Sequence, residues 1–337
     1  MSVTNQISKI NDLIDASSRV LILQPDNPDG DSLGSALALE QILMLKNKET
    51  ELVCGIKIPN YLSYFSGWDR VVQEFPSHFD LVILVDTSSL SLIDNSMVSL
   101  KHNNMLKKHP FIVIDHHATP TSINFASASL IEPTSSATAE TIYNLAKDLK
   151  YELNEAARNA LVAGILSDTL GLTTDNVSAR TMHSVAEMVE QGVSLAKLEA
   201  ARRLNMRKSS DLVHYKGQLL ERIKYFSKDR IALLIIPWPE IERYSPSYNP
   251  PMLVMEDMRL TTGTDIAIAL KVYPEGKVTA KIRSNQGYPI AGALAESYGG
   301  GGHDYASGFK LLDNPDIDLL VKSVVTRTVE LLEANKE

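Results

Sequence analysis

The feature that most constrains the fold is a short apolar run that stops abruptly at three polar residues. Residues 111–114 read Phe-Ile-Val-Ile, and the chain continues as Asp115-His116-His117. Consecutive apolar residues, mostly β-branched, are typical of a strand that is buried on both faces of a parallel sheet. Open α/β sheets bind their ligands at the carboxyl ends of the strands, where these three side chains fall. The sequence therefore predicts an α/β fold with a candidate ligand site at this strand end.

Carboxylates follow other apolar segments in the same way, so this strand end is not an isolated feature. Asp29 and Asp31 come after the run 20–23, Asp86 comes after the run 81–85, and Asp168 comes after a predicted helix over 154–166. Taken singly, each carboxylate is explained equally well by turn chemistry, or, for Asp31 or Ser32, by a helix N-cap. Because parallel strands end at one edge of a sheet, the repetition instead predicts that these side chains share a cleft.

Carboxylates that share a buried cleft repel one another, so they need protons or cations between them. The chain has a single cysteine, Cys54, which excludes a thiolate zinc cage and an intramolecular disulfide framework. Carboxylates combined with imidazoles suit Mn²⁺, with Mg²⁺ and Co²⁺ as alternatives. A set with more ligands than one ion needs predicts two ions that activate water for attack on phosphorus.

Length and charge set further limits on the class of protein. The 337 residues are enough for two domains, and a formal net charge of -8 gives no global attraction for nucleic acid. The first residues lack the charged and apolar regions of a signal peptide, and no apolar run is long enough to cross a bilayer. Together with the single cysteine, these features predict a cytoplasmic protein without a membrane partner.

The second half of the chain contains four consecutive glycines, Gly299 to Gly302, followed by His303. The run lies between a predicted helix and a predicted strand, which favours a built loop over a flexible linker. Glycines in such a loop let backbone N–H groups come close to an oxyanion. The stretch 192–215 before this half is helical and basic, and a solvated helix face is the simplest interpretation of its arginines.

Four motifs taken together resemble those of the DHH phosphoesterase superfamily. They are Pro-Asp-Gly-Asp at 28–31, the strand-end Asp86, Asp-His-His at 115–117 and Ile-Leu-Ser-Asp-Thr at 165–169. The resemblance implies the following roles: Asp29 on a first metal ion, Asp31, His116 and Asp168 on a second, Asp86 bridging the two, Asp115 orienting an imidazole, and His117 facing the substrate phosphate. His117 would steady charge there or protonate the leaving oxygen.

One position departs from the family pattern His-x-x-Pro-Asp-x-Asp. Counting back three residues from Pro28 reaches Pro25, whose side chain has no donor atom for a metal. Gln24, Asp26 or a water molecule are the alternatives for the missing ligand. We expect an active enzyme because the other ligands are in place, and a weakened or single-metal enzyme is the alternative.

The second half resembles the DHHA1 domain that accompanies DHH domains. The resemblance rests on Gly-Gly-Gly-Gly-His at 299–303 and on the Arg-Ser pair at 283–284. The resemblance implies that the nucleotide end of the substrate is held by Arg283, Ser284, Gly300, Gly301, Gly302 and His303. The predicted architecture is an N-terminal, mostly parallel sheet flanked by helices over 1–191, a helical connector over 192–215 and a smaller C-terminal α/β domain over 216–337.

The compact two-domain form looks most like the bacterial group of nano-RNases and pAp phosphatases. This resemblance implies Mn²⁺-dependent release of mononucleotides from short single-stranded RNA or DNA, and removal of the 3′-phosphate of pAp. The alternatives are a phosphodiesterase for cyclic di-AMP or a linear dinucleotide, a RecJ-like single-strand exonuclease, and a nucleotide-binding protein with weakened metal sites. The sequence leaves open whether the chain forms a homodimer.

Overall fold

The computed structural model describes residues 3–97, 100–118, 123–246 and 248–335. The chain divides into two compact units, Met1–Arg207 and Lys208–Glu337. The division falls inside the stretch that the sequence assigns to a connector, and the domain boundaries at 191 and 215 stay predictions. None of the described helices combines the length and the apolar composition that a bilayer span requires.

A five-stranded, wholly parallel sheet lies at the centre of the first unit. Its strands are β1 (Arg19–Gln24), β2 (Glu49–Cys54), β3 (Leu81–Val85), β4 (Phe111–Asp115) and β5 (Ala128–Ile131). The order across the sheet is β2-β1-β3-β4-β5, so the strand order reverses between β1 and β3. Open sheets of this order place their ligands at that switch point. The predicted α/β fold with a parallel sheet is confirmed.

Helices cover both faces of this sheet and bury its apolar side chains. They are α1 (Val3–Ala16), α2 (Gly30–Leu45), α3 (Asp94–Met97), α4 (Leu100–Lys108), α5 (Thr138–Asp148), α6 (Glu155–Asp168), α7 (Ala179–Glu190) and α8 (Leu195–Asn205). On one face, Ile22 and Ile114 of the sheet share a core with residues of α1, α2, α5 and α6. On the other face, Leu23 and Val113 share a second core with Leu106 of α4. The sheet is therefore buried on both sides, as its continuous apolar strands require.

The second unit is built on a six-stranded mixed sheet of order β10-β11-β9-β8-β7-β6. Its strands are β6 (Lys224–Phe226), β7 (Ile231–Ile236), β8 (Ile266–Val272), β9 (Val278–Ser284), β10 (Gly301–His303) and β11 (Ala306–Leu311). Its helices are α9 (Ser210–Glu221), α10 (Trp238–Tyr244), α11 (Met255–Arg259), α12 (Ala291–Glu296) and α13 (Ile317–Ala334). Residues of α12 and α13 pack on one face of the sheet, and residues of α9, α10 and α11 pack on the other.

The glycine run, predicted as a loop, is partly a strand. Residues 301–303 form β10, which pairs antiparallel with β11 at the edge of the sheet. A Cβ atom at Gly300 would lie 2.3 Å from the carbonyl oxygen of Gly308, so only glycine fits there. Gly302 has a φ of +139°, which also favours glycine. The glycines therefore form a tight edge hairpin, whose pairing partner the local sequence does not reveal.

Candidate metal centre

Four elements bring predicted metal ligands to the carboxyl edge of the parallel sheet. Asp31 lies in the first turn of α2, Asp86 follows β3, His116 follows β4, and Asp168 is the last residue of α6. The Nε2 atom of His116 lies 3.9 Å from Asp31 Oδ2, 3.8 Å from Asp86 Oδ1 and 3.5 Å from Asp168 Oδ2. The imidazole therefore stands among three carboxylates.

The spacing of these atoms fits ligands of a shared cation. The two longer contacts of His116 Nε2 exceed hydrogen-bond length. Two ligand atoms that each lie about 2.0–2.2 Å from one ion are separated by distances of this order. Single donor atoms of Asp31, His116 and Asp168 lie within 4.8 Å of one another, and so do those of Asp86, His116 and His117. The geometry therefore offers two overlapping ligand groups that share His116.

The backbone carbonyl of Ser135 orients the His116 ring so that Nε2 faces the carboxylates. Its Nδ1 atom lies 3.4 Å from the carbonyl oxygen of Ser135. A carbonyl can only accept, so this contact favours the tautomer with the proton on Nδ1. Nε2 then carries a lone pair toward the carboxylates, as a metal-binding imidazole does.

Asp31 is fully buried and accepts two backbone hydrogen bonds from the start of α5. The N–H groups of Thr138 and Ala139 donate to its carboxylate at 2.6 and 2.9 Å. The N-cap residue of α5 is Ala137, whose side chain cannot cap the helix, so Asp31 takes that role from another helix. Burial raises the pKa of Asp31 to about 6. The neighbouring His116 acts to lower this pKa, whereas Asp168 acts to raise it.

Asp86 is held in a conformation that few residues adopt. Its φ is +61°, in the left-handed region that aspartate tolerates better than most non-glycine residues. The hydroxyl of Thr138 donates to Asp86 Oδ1 at 2.9 Å. Burial and repulsion by Asp31 and Asp29 raise the pKa of Asp86 well above its ordinary value. A cation beside Asp86 would relieve both the burial and the repulsion.

Protein cations do not neutralise this cluster. Within the described ranges, the ion pairs of Asp31, Asp86 and Asp168 are formed with histidines and with no lysine or arginine. Burial also raises the pKa of Asp168. Oxygen donors, one or two imidazoles and unrelieved negative charge together fit a divalent cation such as Mn²⁺ or Mg²⁺.

Asp115 and His117 form a pair beside the cluster. Asp115 Oδ1 lies 2.8 Å from His117 Nδ1 and also accepts the backbone N–H of His117 at 3.2 Å. Burial opposes the charge of Asp115, but the bonds from His117 prevail and lower its pKa. The same hydrogen bond raises the pKa of His117. Because Nδ1 is engaged and the side chain is 52% exposed, Nε2 of His117 can exchange a proton with a bound substrate.

Asp29 stands apart from the two ligand groups. It is the N-cap of α2, because its Oδ1 accepts the N–H groups of Asp31 and Ser32, and the Ser32 hydroxyl oxygen accepts the N–H of Asp29 in return. The alternative of Asp31 or Ser32 as the N-cap was wrong in position: the cap lies two residues before Asp31 and three before Ser32. Asp29 still adds to the negative field that raises the pKa of Asp86.

The surroundings of Pro25 bear on the alternatives for the missing ligand. Of the Asp26 carboxylate, Oδ2 accepts the N–H of Asn95 in α3 at 2.7 Å, whereas the buried Oδ1 has no hydrogen-bond partner within the described structure. Gln24 is fully buried, and neither of its side-chain amide atoms has a hydrogen-bond partner there. Buried polar groups without partners are rare, so both side chains stay candidates for the missing ligand.

A buried glutamate that the sequence does not single out supports the cluster. Glu140, in the first turn of α5, accepts the N–H and hydroxyl of Ser136 at 2.8 and 2.9 Å and the hydroxyl of Thr181 at 3.0 Å. The segment that Glu140 fixes supplies the Ser135 carbonyl that contacts His116 and the Thr138 hydroxyl that donates to Asp86. The only signal in the sequence is the serine-rich start of α5.

The second unit brings most of the predicted substrate-binding residues together. Arg283, Gly301, Gly302 and His303 line one open cavity of about 530 Å³. Ser284 is buried and its hydroxyl donates to the carbonyl of Asp304 at 3.1 Å, within the segment that links β10 to β11. Gly300 packs against the backbone of β11 and does not line the cavity. These two residues therefore shape the glycine hairpin, while the other four are placed to contact a ligand.

The fold and the side-chain geometry define an α/β protein with a candidate metal centre, and part of the chain matches a known family. Residues 19–166 match the DHH family, N-terminal domain. This part of the chain carries β1 to β5 and most of the ligand cluster.

Similarity to known proteins extends beyond that domain. The chain is 27% identical over 310 residues to the bifunctional oligoribonuclease and PAP phosphatase NrnA of Thermus thermophilus, covering 91% of this chain and 88% of the relative. An exopolyphosphatase-related protein from Bacteroides fragilis has the same fold, with a TM-score of 0.84, 20% identity and coverage of 99% and 98% of the two chains. RecJ of Thermus thermophilus in complex with Mn²⁺ gives a TM-score of 0.55 at 13% identity, covering 98% of this chain and 55% of RecJ.

Proposed function

We propose that this protein is a divalent-metal-dependent phosphoesterase that hydrolyses short oligonucleotides, the 3′-phosphate of pAp, or both. The observation that carries the proposal is the cluster of Asp31, Asp86, His116 and Asp168 at the switch point of the sheet. Among the described residues, no lysine or arginine pairs with its carboxylates. The relative named NrnA acts on oligoribonucleotides and PAP, which supports these substrates. A cytoplasmic location agrees with the proposal.

The residues divide into those that hold ions and those that handle the substrate. Asp31, His116 and Asp168 would hold one ion, and Asp86, with Asp29, would hold a second. When bound, the ions would supply Lewis-acid chemistry that polarises a phosphoryl oxygen and makes water a better nucleophile. Manganese is the proposed ion, in keeping with the Mn²⁺ complex of RecJ.

The side chains near the cluster perform the remaining steps. Asp115 fixes the His117 ring through Nδ1, so His117 presents Nε2 to the leaving oxygen of the ester and donates a proton to it. Asp31 anchors the N-terminus of α5, and Glu140 anchors the preceding turn. Together they hold the Thr138 hydroxyl in its hydrogen bond to Asp86. In the second unit, Arg283 and the glycine hairpin bind a phosphate of the substrate.

A substrate panel with purified protein and Mn²⁺ tests this proposal. The panel contains RNA from dinucleotides to long oligomers, pAp, cyclic di-AMP, linear pApA and pyrophosphate. We expect preferential hydrolysis of the shortest RNAs, of pAp, or of both. Preference for cyclic di-AMP or pApA would instead favour the dinucleotide phosphodiesterase, preference for long single strands would favour a RecJ-like exonuclease, and no turnover on any substrate would reject the hydrolase.

The environment of Pro25 favours a second candidate, a nucleotide-binding protein whose metal sites are too weak for catalysis. Pro25 offers no ligand atom, and one oxygen of the Asp26 carboxylate already accepts the N–H of Asn95. A manganese titration separates the candidates, because a binding protein keeps its nucleotide affinity but shows no turnover at any Mn²⁺ concentration.

Replacing Pro25 with histidine is expected to strengthen metal binding. The imidazole restores the ligand that the family pattern has at this position, so the Mn²⁺ concentration needed for half-maximal hydrolysis should fall. The Gln24→Leu variant is the matched test of the neighbouring amide, since leucine keeps similar volume without donor or acceptor atoms. An unchanged Mn²⁺ titration in Pro25→His, with a weakened one in Gln24→Leu, would show that Gln24 already fills the position.

A further inference from the structure

One face of the sheet in the second unit carries three cations along its open cavity. Lys271, Lys281 and Arg283 all line it, together with Gly301 and His303. We call this cavity the basic trough. Its volume of about 530 Å³ is in the range of sites that bind small ligands.

Strand pairing explains why the three cations stand in one row. The cross-strand partners on this face are Ala267 and Ala306 for Arg283, Ala269 and Gly308 for Lys281, and Thr279 for Lys271. Residues directly opposite on paired strands point to the same face, so each cation stands beside small side chains. The charged groups are therefore accessible along the floor of the trough, from the glycine hairpin outward.

Among the described residues, these cations form no ion pair with an acidic side chain, unlike other cations of the same unit. Arg222 and Arg230 form ion pairs with Glu240 and Asp265. In contrast, the lining of the trough contains no aspartate or glutamate. The guanidinium of Arg283 donates to its neighbouring backbone carbonyl at 2.9 Å, and Lys271 reaches Asn249 at 3.5 Å.

Like charges crowd one another in the trough. Burial and the neighbouring Arg283 and Lys271 lower the pKa of Lys281. Burial and Arg259 lower the pKa of Arg283 in the same way. In a protein with a formal net charge of -8, a concentrated positive surface without counter-charges is complementary to a ligand with several negative charges.

We propose that the basic trough binds consecutive phosphates of a single-stranded oligonucleotide, with Lys281 and Lys271 holding phosphates beyond the one held at Arg283. This inference rests on the proposed function and deepens it, because it makes strands longer than one nucleotide the preferred ligands. Lys271 is the residue that distinguishes an oligonucleotide from pAp, since it stands furthest along the row from the glycine hairpin.

The geometry of the strands supports a row of phosphate contacts. Lys281 and Arg283 are two residues apart on β9, so their Cα atoms are separated by about 6.8 Å. This separation is of the same order as that of adjacent phosphates in an extended single strand. At Gly301 the trough is open, because a Cβ atom built there would have no neighbour within 4 Å. A backbone of linked phosphates can therefore lie along the row.

The test is equilibrium binding of a dye-labelled pentanucleotide RNA to the full chain, in EDTA and over a series of KCl concentrations. Each lost phosphate contact should reduce the slope of log K against log[KCl] by about 0.7. We expect this reduction in Lys281→Gln and in Lys271→Gln, and about twice as much in the double variant. Gly301→Val should weaken binding by filling the trough. Binding of pAp should be unchanged in Lys271→Gln.

The matched control is Lys322→Gln, on α13, which packs on the opposite face of the sheet. It removes one exposed lysine from the same unit and should leave the slope unchanged. Thermal unfolding of each variant checks that it is folded, and Lys281→Arg should keep the slope of the unmodified protein. Equal slopes in all variants, or no binding of the pentanucleotide in EDTA, would overturn the trough as an oligonucleotide site.

Turnover measured on the same preparations separates this inference from the proposed function. Hydrolysis of dinucleotides with Mn²⁺, combined with unchanged slopes in the lysine variants, would reject the trough and keep the phosphoesterase. Reduced slopes without hydrolysis of any substrate would keep the trough and reject the phosphoesterase.

Discussion

Replacement of Asp86 with asparagine is expected to abolish hydrolysis while the protein remains folded. Asparagine tolerates the left-handed backbone at this position, and its amide oxygen can still accept from Thr138. The variant removes only the negative charge that would be shared between ions. Its loss of kcat should be at least the roughly 10²- to 10³-fold that removal of one oxyanion-hole donor costs.

The measurement is kcat on a dinucleotide at saturating Mn²⁺, with thermal unfolding as the check on folding. Asp12→Asn is the matched control, because Asp12 is exposed on α1, and it should keep full activity. Asp86→Ala should be equally inactive, although alanine is strained at a φ of +61°. Retained turnover in folded Asp86→Asn would remove Asp86 from the proposed ligand set.

Replacement of His117 with alanine is expected to lower kcat on oligonucleotides by about 10²- to 10⁴-fold, the usual contribution of a general acid or base. The reason is the hydrogen bond to Asp115, which raises the pKa of His117 and so favours the protonated ring that donates to the leaving oxygen. A substrate with an activated leaving group needs no such proton. Hydrolysis of a 4-nitrophenyl nucleotide ester should therefore be nearly unchanged.

The two substrates and a metal titration together decide the role of His117. Its Nδ1 atom lies 3.9 Å from Asp86 Oδ1, so a ligand role is the competing explanation. A proton donor leaves the Mn²⁺ affinity unchanged and spares the activated ester. An equal loss of kcat on both substrates, with weaker Mn²⁺ binding, would make His117 a metal ligand instead.

The strands that position the metal centre could be predicted from the sequence because they are buried on both faces. The segments 81–85 and 111–115 are buried throughout, and such strands have continuous apolar sequences. The edge strand at 128–131 alternates between buried and partly buried residues, and the edge strand at 49–54 begins with exposed and partly buried ones. Their sequences are too mixed for the same argument, and the strand order that creates the switch point depends on them.

The candidate site could be predicted as a set of residue types but not as a set of contacts. Asp31, Asp86, His116 and Asp168 meet as expected from parallel strands that end at one edge. The helix cap that Asp31 supplies to α5 joins residues 107 positions apart, which no local pattern shows. Glu140 is similar, because it accepts a hydrogen bond from Thr181, 41 positions away, which only the folded chain brings close.

The most direct test of the account is Mn²⁺ binding to the metal-free protein, followed by calorimetry and by thermal unfolding. Because no lysine or arginine in the described part of the chain pairs with the carboxylates, bound ions should stabilise the fold, by about 2.7 kcal/mol at a free concentration one hundred times the dissociation constant. We predict saturable binding with a rise in Tm in the unmodified protein, and a smaller rise in Asp86→Asn. Absence of binding, with the same Tm in EDTA and in Mn²⁺, would contradict the account.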